Sequence, residues 1–146
     1  MLSASARRSA ARQLPLRLTT GVFFLNSGIS KLGADEATAE GLQQFAAMTY
    51  PFLKKQDAQK FARLLSAGEL AIAATLLVPV VPAVVAGAAL TAFSVATLGL
   101  YLRTPGMREE GSLRPTEQGI TLAKDLWLLG IGVALIADGV TEHEHR

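Results

Sequence analysis

The sequence predicts an all-α protein: a four-transmembrane-helix, up-and-down bundle with a short amphipathic helix in its first connection. Three observations carry this. Half of the 146 residues are hydrophobic and only 18% are charged, against about 25% in an ordinary soluble domain. Glu69 is followed by 33 uncharged residues, Leu70 to Leu102. One helix of that length would extend about 50 Å, whereas a bilayer core is about 30 Å thick. The run therefore folds back on itself, and Pro79 and Pro82 mark the tip near residues 79–82. Proline withdraws a backbone donor and disfavours helical geometry in the residue before it. The alternative is a single proline-kinked helix in a soluble bundle. Residues 83–102 weigh against it, being an apolar stretch of membrane length by themselves.

The chain divides into a basic N-terminal tail (1–13), a membrane domain (14–140) and a C-terminal tail (141–146). In the first, Arg7, Arg8 and Arg12 have no acidic neighbour. A targeting peptide, a lipid-surface contact and a fraying tail all suit that composition. No small-residue cleavage site follows the apolar stretch, which predicts that the tail is retained. The first span, about 14–33, includes Arg17, Asn26, Ser27, Ser30 and Lys31 and needs polar partners inside a bundle. The connection 34–60 opens with acids, which suit a helix N-terminus. Leu42, Phe45 and Ala46 share a helical face before Tyr50-Pro51 ends the pattern. This is the short amphipathic helix, lying at the interface or over the bundle mouth.

The second and third spans are about 60–79 and 82–102. Ala88, Ala92 and Ala96 recur every four positions in the third, with Gly99 nearby, a pattern that lets a neighbouring helix approach closely in lipid. Residues 103–118 form a polar connection with a Pro-Gly turn signal. The fourth span, about 119–140, ends near Asp138. His143 and His145 in the tail are too few to fix a metal, and no metal site is predicted.

Several functions are excluded. The chain has no cysteine, so disulfides, thiol relays and thiolate metal sites within it are ruled out. A net charge of +2 gives no ground for nucleic-acid binding. No Gly-rich phosphate loop or nucleophile motif occurs.

Four spans in up-and-down order place the termini and the 79–82 tip on one side, the terminal face, and the two long connections on the other, the loop face. Counting residues then gives depth. Measured from the terminal face, Glu69 lies about 14 Å in, Asp125 about 18 Å, Lys124 about 20 Å and Lys31 about 21 Å. Three helices thus bring charges to one level. A lone charge at mid-helix costs about 2.5–3.5 kcal/mol on insertion scales, which pairing offsets. The expectation is a buried polar cluster of Lys31, Glu69, Lys124 and Asp125, with Asn26 and Ser27 one turn away. Lys124 and Asp125 are adjacent and diverge by about 100° on their helix, so the lysine stem snorkels to the loop side while its neighbour turns inward. Two readings stay open: a proton, ion or ligand site, or an ion-pair lock that fixes helix order. Phe23, Phe24, Phe93 and Trp127, with Tyr101, could line a pocket for a flat apolar ligand such as a quinone, or serve as core and interface anchors. Lysine and arginine counts leave the orientation open, because the loop face has more of them but the basic tail precedes the first helix.

"RLTTGVFFLNSGISKL", with Arg17, Gly21, Gly28, Lys31 and Leu32, resembles the opening helix of the DoxX family. "SAGELAIAATLL" is similar to that family's second helix in its Gly68-Glu69 pair, and "LAKDLWLLGIGVAL" to its closing helix in Lys124, Asp125 and Gly130. The resemblance covers about residues 16–138, and the long polar third connection is like that of actinobacterial members. It implies a four-helix, multi-pass protein of the bacterial cytoplasmic (plasma) membrane. It further implies a membrane subunit or scaffold of an oxidoreductase assembly, quinone-linked or concerned with oxidative and thiol stress, with soluble oxidoreductase partners. Relatives that handle thiols use their own cysteines; here any thiol chemistry belongs to a partner. A small proton-linked transporter and a structural membrane protein without chemistry of its own remain alternatives, and self-association stays open.

Overall fold

The structure, a computed structural model, describes residues 4–144; His145 and Arg146 of the predicted C-terminal tail lie outside the described residues. In chain order it contains α1 (Ala4–Leu32), α2 (Glu36–Thr49), a 3-10 segment (Pro51–Lys55), α3 (Ala58–Leu77), α4 (Ala83–Arg103), α5 (Ile120–Ala123) and α6 (Asp125–Glu144). Among the described residues there is no strand, only an isolated bridge between Arg108 and Pro115. The chain is all-helical, as its composition predicts.

Local chemistry sets the helix ends. The Asp35 carboxylate accepts the Thr38 N–H at 2.8 Å and the Asp57 carboxylate accepts the Lys60 N–H at 2.8 Å, so each caps a helix that starts one residue later. α3 stops at Leu77 and α4 resumes after Pro82, which puts the reversal at the two prolines. α1 starts at Ala4, inside the stretch whose composition reads as a tail. The difference arises because Ser9 and Gln13 are buried against α6, a contact that the first thirteen residues alone do not reveal.

The four long helices form a ring. α1 packs on α3 and α4 on α6; the α3–α4 hairpin and a thinner α1–α6 seam complete it. Glycine permits the close pairs. A Cβ on Gly87 would lie 2.6 Å from the Gly132 carbonyl oxygen, and one on Gly28 2.7 Å from Leu70 Cγ. The expected stripe of Ala88, Ala92 and Ala96 does not perform this task; all three are exposed. α6 meets α4 through Gly132 and Gly139 instead, on another side of α4. Phe24, Ile72, Ala73, Leu76, Ala86, Leu90 and Leu135 form the buried apolar core.

α2 lies against the hairpin helices α3 and α4. It buries Ala39, Ala46, Ala47 and Thr49. Thr49 and Thr104 join their hydroxyls at 3.1 Å, and the Tyr50 hydroxyl donates to the Ala96 carbonyl at 2.8 Å over the bare surface of Gly99.

Two stretches, Ala83–Arg103 and Ile120–Glu142, are long and apolar enough to cross a membrane by length and composition. That covers two of the four expected spans. α1 and α3 are absent from that pair for a visible reason: α1 includes four arginines and a lysine, and α3 includes Lys60, Arg63 and Glu69.

Candidate functional site: a polar seam inside the bundle

α1 has two stripes set one or two residues apart. Ser9, Gln13, Arg17, Thr20, Phe24, Ser27 and Lys31 follow a three-four spacing and turn inward. Leu14, Leu18, Val22, Leu25, Ile29 and Leu32 follow the same spacing and are exposed. The inward stripe is polar at every level except Phe24, and it makes three polar nodes.

The first node lies near the loop face. Lys31 Nζ is 2.9 Å from Glu69 Oε2 and 2.6 Å from Ser27 Oγ. Glu69 is only 5% exposed. One turn earlier on α3, Ser66 donates to the Gly28 carbonyl at 2.7 Å, so the same two helices are bonded at two successive levels. A buried carboxylate needs a cation and further donors, and Lys31 supplies the cation. The second node sits under the hairpin. Arg17 is buried, and its guanidinium donates to the carbonyl of Val81 at 2.7 Å and to that of Val78 at 3.5 Å. Val78 caps the C-terminus of α3, where negative potential collects, and its carbonyl also accepts the Val81 N–H at 3.2 Å; Val81 lies in the turn that leads into α4. Arg17 Nε itself has no partner among the described residues.

The third node was not legible as a site in the sequence. Asp138 of α6 accepts from Ser9 Oγ at 2.5 Å, Gln13 Nε2 at 2.6 Å and Arg12 at 2.6 Å. The four-residue spacing of Ser9, Gln13 and Arg17 was the available signal; reading residues 1–13 as a tail hid it. This node ties α6 to α1 and closes the ring.

The predicted cluster is brought together only in part. Lys31, Glu69 and Ser27 meet. Lys124 is exposed and Asn26 faces outward. Asp125 is half-buried, with Thr97 of α4 as its polar neighbour. Neither Lys124 nor Asp125 forms an ion pair among the described residues. Residue counting expects all four charges at one level, but Lys124 is exposed and Asp125 turns to Thr97 of α4.

The aromatics separate likewise. Phe24 is buried and meets Phe93 edge to face at 5.0 Å, with Phe23 at 5.6 Å on its other side. Phe23 and Trp127 point outward, the latter 71% exposed. Phe24 and Phe93 pack in the core, whereas Phe23 and Trp127 face away from it. Tyr101 donates its hydroxyl to the Leu113 carbonyl at 2.6 Å and anchors the second long connection. A cavity of about 200 Å³ in that connection is lined by residues of the Leu102–Gly111 stretch, none of them a predicted site residue. Among the described residues no group of three metal-ligating side chains converges.

Residues 13–102 match the sequence model of a family described as DoxX. No curated protein matches the chain, and no solved structure does.

Proposed function

The chain belongs to the DoxX family, and from that premise we propose that it is a multi-pass protein crossing the bacterial cytoplasmic membrane four times. It acts there as a membrane subunit or scaffold of an oxidoreductase assembly, its interior charges ordering the helices while the redox chemistry belongs to soluble partners. One observation supports the four spans above all: α1 turns its polar stripe inward and its leucine, valine and isoleucine stripe outward. In water that distribution exposes apolar surface and buries polar groups at a cost. In a bilayer the exposed apolar face meets lipid at no cost, and turning the polar groups inward lets them pair with one another instead of meeting lipid. The same holds around the ring, where Val85 and Val95 of α4 and Leu126, Trp127 and Val133 of α6 are exposed. α1 and α3 thus span as members of a bundle, satisfied by each other's polar groups.

The oxidoreductase role rests on the family resemblance; the chain has no cysteine, so any thiol chemistry belongs to a partner. With Glu69 paired to Lys31 and Trp127 on the outer surface, a quinone would meet this protein from the lipid side rather than in an interior pocket. Two measurements test the reading. The cysteine-free chain accepts single cysteines at Gln56, Val80 or Glu110 for labelling by an impermeant maleimide; Gln56 and Glu110 should label from one side and Val80 from the other. Purification from native membranes in mild detergent should then yield a soluble oxidoreductase in fixed ratio. A chain that elutes alone, with native lipid retained, removes the assembly role.

A further inference from the structure

We propose that the segment Met48–Leu64 is a docking surface for anionic lipid headgroups of the chain's own membrane; this rests on the four-span reading above. Three large apolar side chains in this short stretch stand out from the protein: Met48 at 60%, Phe52 at 67% and Leu64 at 71% exposure. They belong to three different elements, the end of α2, the 3-10 segment and the second turn of α3. Interleaved with them are Lys54, Lys55, Lys60 and Arg63, all exposed.

None of these four cations forms an ion pair among the described residues. The one acid within the stretch, Asp57, is engaged in capping α3 through the Lys60 N–H at 2.8 Å. The stretch therefore keeps an excess of positive charge, with its cations outside any ion pair among the described residues. Nor is the segment loose. Gln43 of α2 donates to the carbonyl of Leu53 at 2.9 Å and to that of Gln56, and the Tyr50 and Phe52 rings are 6.2 Å apart. A rigid turn thus presents apolar tips together with free cations.

Its level in the bundle selects the partner. Leu64 lies on the outer face of α3, one turn from the point where the helix emerges, so Lys54, Lys55, Lys60 and Arg63 stand at headgroup depth. Apolar tips flanked by free cations match the boundary between acyl chains and anionic headgroups. A protein partner at the same place would need acidic groups and would bury the apolar tips away from lipid.

The test uses full-length protein in vesicles of phosphatidylcholine and phosphatidylglycerol. The reporter is Phe52→Trp in a Trp127→Phe background, read by quenching with brominated forms of either lipid at equal mole fraction. The native Trp127, in the otherwise unaltered chain, is the reference. Brominated phosphatidylglycerol should quench the reporter more strongly than brominated phosphatidylcholine. That preference should fall at least fivefold in Lys54→Ser/Lys55→Ser and weaken with salt, since each surface cation contributes about fivefold to anionic-lipid association. Equal quenching by the two lipids overturns the anionic preference. Quenching of Trp127 but not of the reporter overturns the docking surface while leaving the four spans intact, whether water or a second protein covers the segment. Absence of quenching at both positions removes the four-span reading and this inference with it.

Discussion

Separating Lys31 from Glu69 tests whether the interior charges hold the helices in order. The charged atoms are 2.9 Å apart, with the two side chains 19% and 6% exposed. At that distance unit charges attract by about 6 kcal/mol at an effective dielectric constant of ~20. Much of this offsets the desolvation of the pair. Removing one member is nevertheless costly, about 3–5 kcal/mol, because it leaves the other charge buried and unpaired. Glu69→Gln keeps the shape and one acceptor, and the partly exposed Lys31 stem can carry its ammonium towards the loop side. It should fall at the lower end of that range. Lys31→Met leaves the less exposed Glu69 without a cation and also ends the bond from Lys31 to Ser27, so it should fall at the upper end. The double change Lys31→Met/Glu69→Gln removes both charges and should cost far less than the sum of the two singles. The assay is unfolding in mixed detergent micelles followed by far-ultraviolet circular dichroism, arranged as a double-mutant cycle. Single variants within about 1 kcal/mol of the parent, or a double variant that costs the sum of the singles, would refute the lock.

Asp138→Ala strands the donors of Ser9, Gln13 and Arg12 and should cost about 1–3 kcal/mol, with amide exchange accelerating first at the start of α1. Arg17→Met leaves the Val78 and Val81 carbonyls without their guanidinium and should cost about 1.5–3 kcal/mol; Arg17→Lys should recover only part of it, since an ammonium lacks the planar fork, and proteolysis at the 78–82 turn reports the opening. Gly87→Ala pushes a methyl against the Gly132 carbonyl oxygen and should lower stability by about 1–3 kcal/mol, whereas Gly130→Ala, with open space around it, should be neutral in the same melt. The Asp35 carboxyl is held below its ordinary range by its hydrogen bonds to Thr38, side chain first and backbone second. Its capping of α2 is therefore complete above the unfolded carboxylate value, about pH 4, and is lost as pH falls through the lower folded value. Asp35→Asn should keep the cap and abolish the dependence, read from the Thr38 amide resonance against pH.

The helical composition, the reversal at Pro79 and Pro82, and the approach of Lys31 to Glu69 were all legible in the residues. Each depends on something that runs along the chain. An uncharged run longer than a bilayer must turn, prolines mark where, and a fixed rise per residue converts a sequence interval into a depth. The capped start of α2 belongs with these, since Asp35 and Glu36 act within one turn.

What the residues left undecided was rotation about each helix axis. Residue counting sets Lys124 and Asp125 near the level expected for Glu69, yet α6 is apolar on nearly every side and no stripe in it states which face goes inward. That angle is set by Gly132 and Gly139, which seat α6 against α4, and by Asp138, which reaches three donors of α1. The same contact turned residues 4–13 from an apparent tail into the first turns of a helix. Sequence by itself thus determined the helices, their turn and the places of the charges along them, because these are properties of one chain measured along its own axis. Only the tertiary structure decided which charges meet, because a facing direction is fixed by what packs on the other side.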